Sequence, residues 1–437
     1  MKTKLKLLLI TFTMFFTGNM YSQMTLTGEI RPRFESRHGY QSPLDSAVSG
    51  ASFVSQRTRL NFGYKADKFL LGTSIQDVRI WGNVPQLIGA DTIGQTFMHE
   101  AWGQYWFTPK FSLKAGRQEL NYDDQRLLGG VNWKQQARVH DVAVFMYEDT
   151  ASKFKVHIGA AFNQNGEANT LKKYSVKGNY KEMQYLWINK KISSLSASLI
   201  VINNGVQSPI TDNKSRFSQT AGTYLEYNKD ALFANGRFYY QTSKLYDKTN
   251  TSAYMFGVDV NYTLMKKITL GLGIEQMTGQ SQTDTTKAYT DVNHAFNPLY
   301  GTAHKFNGYM DYYNAGNGHS NVGLTDIYFK AKYKAEKWYV GFDFHQFMAA
   351  AKVLDSKATA TSGNITAMDS NLGMEIDLEL GYNFSKQFSI VAGYSHYLLT
   401  QTTSTLKGVT DYKGDSYTGN TANWSYLMLV FKPNFMK

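Results

Sequence analysis

Cysteine is absent from the 437 residues. That excludes disulfides, a thiol nucleophile and the acylated cysteine of a lipoprotein, so neither a bridge-stapled secreted fold nor a lipid-anchored one is available. Proline is scarce, 7 residues against 36 glycines and 30 tyrosines. Past the N-terminal leader there is no run of about 18 apolar residues, which excludes a transmembrane α-helix. Mean hydropathy is −0.39, and apolar spacing near 3.6 is hard to find anywhere. By hydropathy alone the chain reads as a soluble exported protein. A soluble chain of this length divides into two or three domains, whereas a closed barrel holds it in one.

Lys2, Lys4 and Lys6 precede an apolar run, Leu7 to Phe16, too short to cross a bilayer, and then Tyr21-Ser22-Gln23. This is the pattern of a secretory signal peptide over residues 1–22, cut near Ser22, although Met20 fits the −3 position poorly. A short buried N-terminal helix is the other reading. Removing the leader takes three lysines from a formal charge of +12, leaving +9 on residues 23–437, which are expected to form one domain.

What the chain has in abundance is two-residue alternation. Asn371 to Phe384 sets Leu372, Met374, Ile376, Leu378 and Leu380 against Glu375, Asp377 and Glu379, and Lys337–Met348 and Ala422–Pro433 alternate in the same way. Such alternation predicts strands. Eighteen are expected, at 25–37, 53–66, 69–81, 95–107, 110–121, 137–149, 153–163, 179–190, 193–203, 218–228, 230–242, 252–264, 267–278, 320–334, 337–351, 371–384, 387–399 and 422–433. Their connections alternate without a break between eight short turns and nine long loops. Long loops kept on one end are the mark of an all-β transmembrane antiparallel barrel in the outer membrane, with short turns in the periplasm and long loops outside. An even strand count leaves both termini in the periplasm.

The stretch GEIRPRFESR (28–37) places charge at every second residue, Glu29, Arg31, Arg33, Glu35 and Arg37. Facing lipid near the midplane, each arginine would cost about 2–4 kcal/mol; facing a watery lumen, it stays solvated or paired. These five residues are therefore expected to point inward, followed by Arg57, Arg59 and Asn61 on the second strand and Asp77 and Arg79 on the third. Nine of the eleven arginines fall between Arg31 and Arg138, so one arc of the lumen is expected to be basic and to select anions. The other reading is a ladder of Arg and Glu bracing adjacent strands, and the two are compatible. Glu375, Asp377 and Glu379 make the opposite wall acidic.

Other chemistry finds little support. The nine histidines include no HExxH, and His294, His304 and His319 share the loop 279–319 at spacings that fit no standard metal site. GNGH at 316–319 is followed by no Lys-Ser/Thr, and there is no GxSxG. No cofactor or metal is called for, and the alternation of basic residues along strands does not suit nucleic acid. Trp102, Tyr105, Trp106, Phe107, Trp187, Trp338, Tyr339, Trp424 and Tyr426 lie near strand ends, as an interfacial girdle requires; Trp102 or Trp106 could instead stack on sugar rings. The loop 279–319, forty-one residues rich in aromatics, Gly and Asn, is too long for a plain connection. It is expected to fold over or into the lumen as a lid or constriction, the other reading being an extracellular cap.

RPRFESR, QRTRLNFGY, GRQELNYDDQRLLGG, NWKQQARVHDVAVFMY, AFNPLYGTAHKFNGYMDYY and LGYNFSKQFSIVAGYSHYLLT together resemble the alginate export family of outer-membrane proteins, in its Bacteroidota form. The likeness runs over nearly the whole of residues 23–437, and GRQEL…DDQRLLG is its most specific part. It implies an eighteen-stranded monomeric barrel with a positively lined pore through which an anionic polyuronate leaves the periplasm. It implies lumen positions at Arg31, Arg33, Arg57, Arg59, Arg117, Arg126 and Arg138, with Glu29, Glu35, Glu119, Asp123 and Asp124 as partners. The partners expected are outer-membrane lipids, an anionic polysaccharide or small anions, and periplasmic export proteins. Transport would be passive, between weak arginine sites; a plugged 22-stranded transporter does not fit in 415 residues. Three classes stay open: a channel for anionic poly- or oligosaccharide, a porin for small anions or general solutes, and a structural or enzymatic barrel.

Overall fold

The computed structural model describes residues 23–45, 48–87, 95–170, 173–174, 176, 178–207, 214–244, 250–313, 321–409 and 421–436. The expected signal peptide, His319 and GNGH lie outside the described residues.

All eighteen expected strands are present, because each carries the pleat-matched alternation and ends at a turn. They are β1 Gln23–His38, β2 Ala51–Lys65, β3 Phe69–Ile80, β4 Thr96–Trp106, β5 Phe111–Gln118, β6 His140–Asp149, β7 Phe154–Phe162, β8 Glu182–Ile192 and β9 Leu195–Gln207. The second half comprises β10 Ser215–Lys229, β11 Leu232–Lys244, β12 Asn250–Leu264, β13 Ile268–Met277, β14 Leu324–Lys334, β15 Trp338–Met348, β16 Asn371–Asn383, β17 Phe388–Leu398 and β18 Thr421–Phe431. Each pairs antiparallel with its neighbours in sequence, and β1 closes the ring on β18 through pairs such as Phe34↔Leu427 and Arg37↔Trp424. Closure leaves no open edge, so the backbone can satisfy its hydrogen bonds within lipid. A two-residue strand, Val292–Asn293, adds parallel to the start of β12. Among the described residues three short helices cap the long-loop end, α1 Lys287–Thr290, α2 Ser356–Ser362 and α3 Gln401–Lys407.

The outer face is apolar. Leu60, Val258, Val260, Leu272, Leu378 and Leu380 project from it, Leu272 being 65% exposed. At the short-turn end outward rings pack against one another: Tyr105–Phe107, Phe111–Tyr147, Tyr333–Trp338, Phe384–Phe388 and Phe388–Phe431, at centroid distances of 4.8–5.3 Å. This is an aromatic girdle at one membrane interface. The girdle expectation needs correction for Trp102, Trp106, Trp187, Tyr339, Trp424 and Tyr426, whose strand parity turns them into the lumen. Glycines make room for several inward rings. A Cβ at Gly72 would sit 2.4 Å from the Trp102 ring, one at Gly159 2.0 Å from Tyr185, and one at Gly393 2.1 Å from Tyr426, each ring belonging to the residue directly opposite in register. The rings lie flat against the neighbouring strand and so spare the lumen.

Candidate functional site

Two loops fold into the lumen and meet there. The first, residues 119–139, leaves β5 and is curled by left-handed backbone at Asp123, Gln125, Val131 and Ala137. It lays its carbonyls on the arginines of β1. Arg31 donates to Asn132 O at 3.0 Å, Trp133 O at 3.2 Å and the Gln135 amide oxygen at 3.0 Å. Gln135 returns hydrogen bonds to Arg31 O and Ser55 Oγ. Arg33 donates to Trp133 O at 2.9 Å, pairs with Glu35, and lies 4.2 Å from the Trp133 ring. Arg57 pairs with Glu29. Arg59 donates to Gln76 and stands 3.9 Å from Glu119, which also accepts from Asn132 at 3.0 Å and contacts His99 at 3.3 Å. Arg31 differs from its neighbours: among the described residues its guanidinium meets only neutral oxygens.

The second loop, residues 295–313, packs on the acidic wall of β13 to β16. Glu375 and Asp377 accept the backbone N–H groups of Met310 (2.7 Å) and Tyr309 (3.3 Å). Gly308 lies so close that a Cβ there would stand 2.5 Å from the Glu375 carboxyl carbon. Asn307 bridges Glu275 and Asp326, and Asp326 holds His345 at 3.0 Å. Arg126, from the first loop, reaches across to Glu275 and Asn307. Arg237 on β11 completes the knot with Glu275 at 2.8 Å, Asp259 at 2.6 Å and Asp124 at 3.5 Å. The loops also bond to one another, Gly129 N to Tyr300 O, Tyr300 N to Leu127 O and Thr302 N to Gln125 O, while Arg138 donates to Gly301 O. His304 stacks on Trp133 (4.4 Å) and pairs with Asp311. Burial disfavours the Asp311 anion, yet the His304 contact holds this carboxyl below its usual range. Burial pushes Asp123 up to about 6 although the Trp187 indole donates to it.

The early arginines of this closed barrel meet an inward loop, and a family model for alginate export matches residues 22–408. The chain belongs to the alginate export family. No curated protein matches it. Solved structures with a similar fold include Pseudomonas aeruginosa OccK8 (OprE), at 10% identity and a TM-score of 0.58 over 95% of this chain and 99% of that one. Acinetobacter baumannii OccAB1 shows 11% identity and a TM-score of 0.58 over 94% and 97%. P. aeruginosa OpdQ shows 11% and 0.57 over 94% and 98%. As a family member the chain is an outer-membrane β-barrel channel and not an enzyme.

Within this alginate-export barrel, Glu29, Arg31, Arg33, Glu35, Arg57 and Arg59 occupy inward strand positions. Glu119, Asp123, Asp124, Arg126 and Arg138 reach the lumen from the inward loop, where Glu119 and Arg138 had been expected on β5 and β6. Three expectations are corrected. Asp77 and Arg79 pair with each other at 2.6 Å on the outer face of β3, because it is Ser74 and Gln76 that turn inward. Arg117 lies on the outer face of β5, 3.0 Å from Asp141 and opposite it in register. Sequence reasoning missed Arg237, Asp259, Glu275, Asp326 and His345. Strand parity alone would have found them, since each falls on the inward set of its strand. Beneath the loops, on the short-turn side, cavities of about 320 and 440 Å³ share Phe233, Asn261, Gly271 and Lys330 as lining.

Proposed function

We propose that this channel passes anionic saccharides of the uronate class, as an alginate-like polymer or its oligomers. The observation that carries the reading is Arg31. Its side chain is 8% exposed, and a buried charge is costly unless a counter-charge and hydrogen bonds compensate it. Neutral carbonyls supply its hydrogen bonds, and Glu29, the neighbouring carboxylate on the same strand face, is paired with Arg57. A carboxylate replacing those carbonyls would add charge pairing, and charge-assisted bonds are about twice as strong as neutral ones. Loop 119–139 therefore occupies donors that a uronate carboxylate binds better, so a passing uronate competes with the loop for Arg31 and Arg33. The membership of the alginate export family points the same way. A second reading, a porin for small anions or general solutes, draws support from the two inward loops, since small anions need less loop displacement than a polymer.

Proteoliposomes loaded with defined oligouronates or with neutral oligosaccharides of equal length test the proposal. Release of the oligouronates should be at least about tenfold faster than that of the neutral sugars, and Arg31→Gln should remove most of the difference between them. Equal release of both sugars would favour the general porin.

A further inference from the structure

Each short turn carries lysine. With their flanking strand ends the eight turns read KADK (65–68), TPK (108–110), TASK (150–153), KKISS (190–194), KDA (229–231), MKK (265–267), KAEK (334–337) and SKQ (385–387). That is twelve lysines against three acids and no arginine, an excess of nine, equal to the whole net charge of residues 23–437. All but Lys190 are exposed, and among the described residues only Lys110 has a carboxylate partner, Asp149 at 2.9 Å. The nine loops at the other end hold fifteen basic and fifteen acidic residues. The net charge of this barrel is gathered on the periplasmic rim.

Lysines continue inward from the rim. Lys334, Lys332 and Lys330 take successive inward positions of β14, spaced by about 6.6 Å. Lys332 and Lys330 line the 440 Å³ cavity beside Asp343 and Glu379, and Lys330 and Lys305 line the 320 Å³ cavity above it beside Asp123, Asp124, Glu226 and Asp259, so the excess of positive charge ends at the rim. Lys332 lies 4.3 Å from the Tyr339 ring, and Lys330 pairs with Asp343 at 2.9 Å. Lysine is a point charge on a flexible stem, suited to holding a moving polyanion loosely, whereas the arginine fork fixes geometry. A one-sign rim raises the local concentration of the opposite charge and speeds its arrival by about 10- to 1,000-fold.

We propose that the lysine rim is the entry surface for a flexible uronate polyanion arriving from the periplasm. This rests on the uronate-channel reading and adds to it the surface that first meets the polymer.

The test uses channels inserted in one orientation in neutral phosphatidylcholine bilayers, with polyuronate added to either side. The expected result is block with a faster on-rate from the periplasmic side, falling with added salt. Replacing Lys65, Lys68, Lys266, Lys267, Lys334 and Lys337 by Gln should slow that on-rate at least about tenfold, with the on-rate of block from the other side unchanged, and Arg at the same positions should preserve it. Equal on-rates from both sides, unmoved by the six Gln substitutions, overturn the rim proposal and leave the channel reading standing. Absence of block from either side overturns both. If the Gln variant keeps its block kinetics but inserts less well into bilayers containing phosphatidylglycerol, the rim is a lipid contact and the proposal fails.

Discussion

Arg31 and Arg237 are both buried arginines at inward strand positions, but their surroundings differ. Arg237 is matched by Glu275, Asp259 and Asp124, so it fastens the wall, whereas Arg31 faces neutral oxygens. Gly308 is the residue that sets how closely the second loop docks. Its φ is +75°, and a side chain there collides with Glu375. Overpacking of this kind costs about 1–3 kcal/mol. Gly308→Val should therefore release residues 304–313 from the acidic wall, raising single-channel conductance and its noise while the barrel's thermal unfolding hardly moves. Unchanged conductance would show that the loop does not narrow the path. The residue-scale errors have two causes. Asp77 and Arg79 are expected inward because a charge facing lipid is costly, and Arg117 because the family resemblance implies it, but each has an acid–base partner beside it on the same face. Pairing and a position toward the strand end, where the cost falls to about 0–1 kcal/mol, remove the objection, and parity counted from Ser74 and Gln76 settles the direction.

At the scale of elements, the strands were legible and the loops were not. The period of two and the short turns are local signals, so all eighteen strands could be read from neighbouring residues. Loop 119–139 carries no such period. Its path is fixed by Arg31 and Arg33, about a hundred residues away, and only the length and aromatic content of 279–319 marked the other loop as unusual. Helix α3 closes one side of the long-loop end. Lys407 at its end donates to Gln41 O at 3.0 Å and Tyr312 O at 2.5 Å, and burial pushes its pKa down to about 8 from 10.5. Between these values the unfolded segment binds more protons than the docked one. Docking is therefore weakest below pH 8 and strengthens as pH rises through 8. Hydrogen exchange over residues 401–408, corrected for the intrinsic rate, should be slower at pH 9 than at pH 7, and Lys407→Met should abolish the difference. Equal protection at both pH values in the unmodified protein would contradict this.

Over the whole molecule, charge is divided into layers. The rim of lysines lies at the periplasmic mouth, ion-paired loops fill the middle, and a balanced set of loop charges faces outward. Arginines on β1 and β2 confront carboxylates on β13 to β16 across the lumen, and the inward loops bridge them through Arg126 and Asn307. The basic wall expected from GEIRPRFESR is thus both a brace and an anion-facing surface, with Arg31 the point where the brace is weakest against a carboxylate. The most direct test is the purified channel in planar bilayers, with its reversal potential read under a KCl gradient and polyuronate then titrated in beside a neutral glycan. An anion-selective potential, with block by polyuronate and none by the neutral glycan, is the predicted result. A cation-selective potential, or conductance indifferent to polyuronate, would contradict the account and leave the arginines as fasteners of the loops alone.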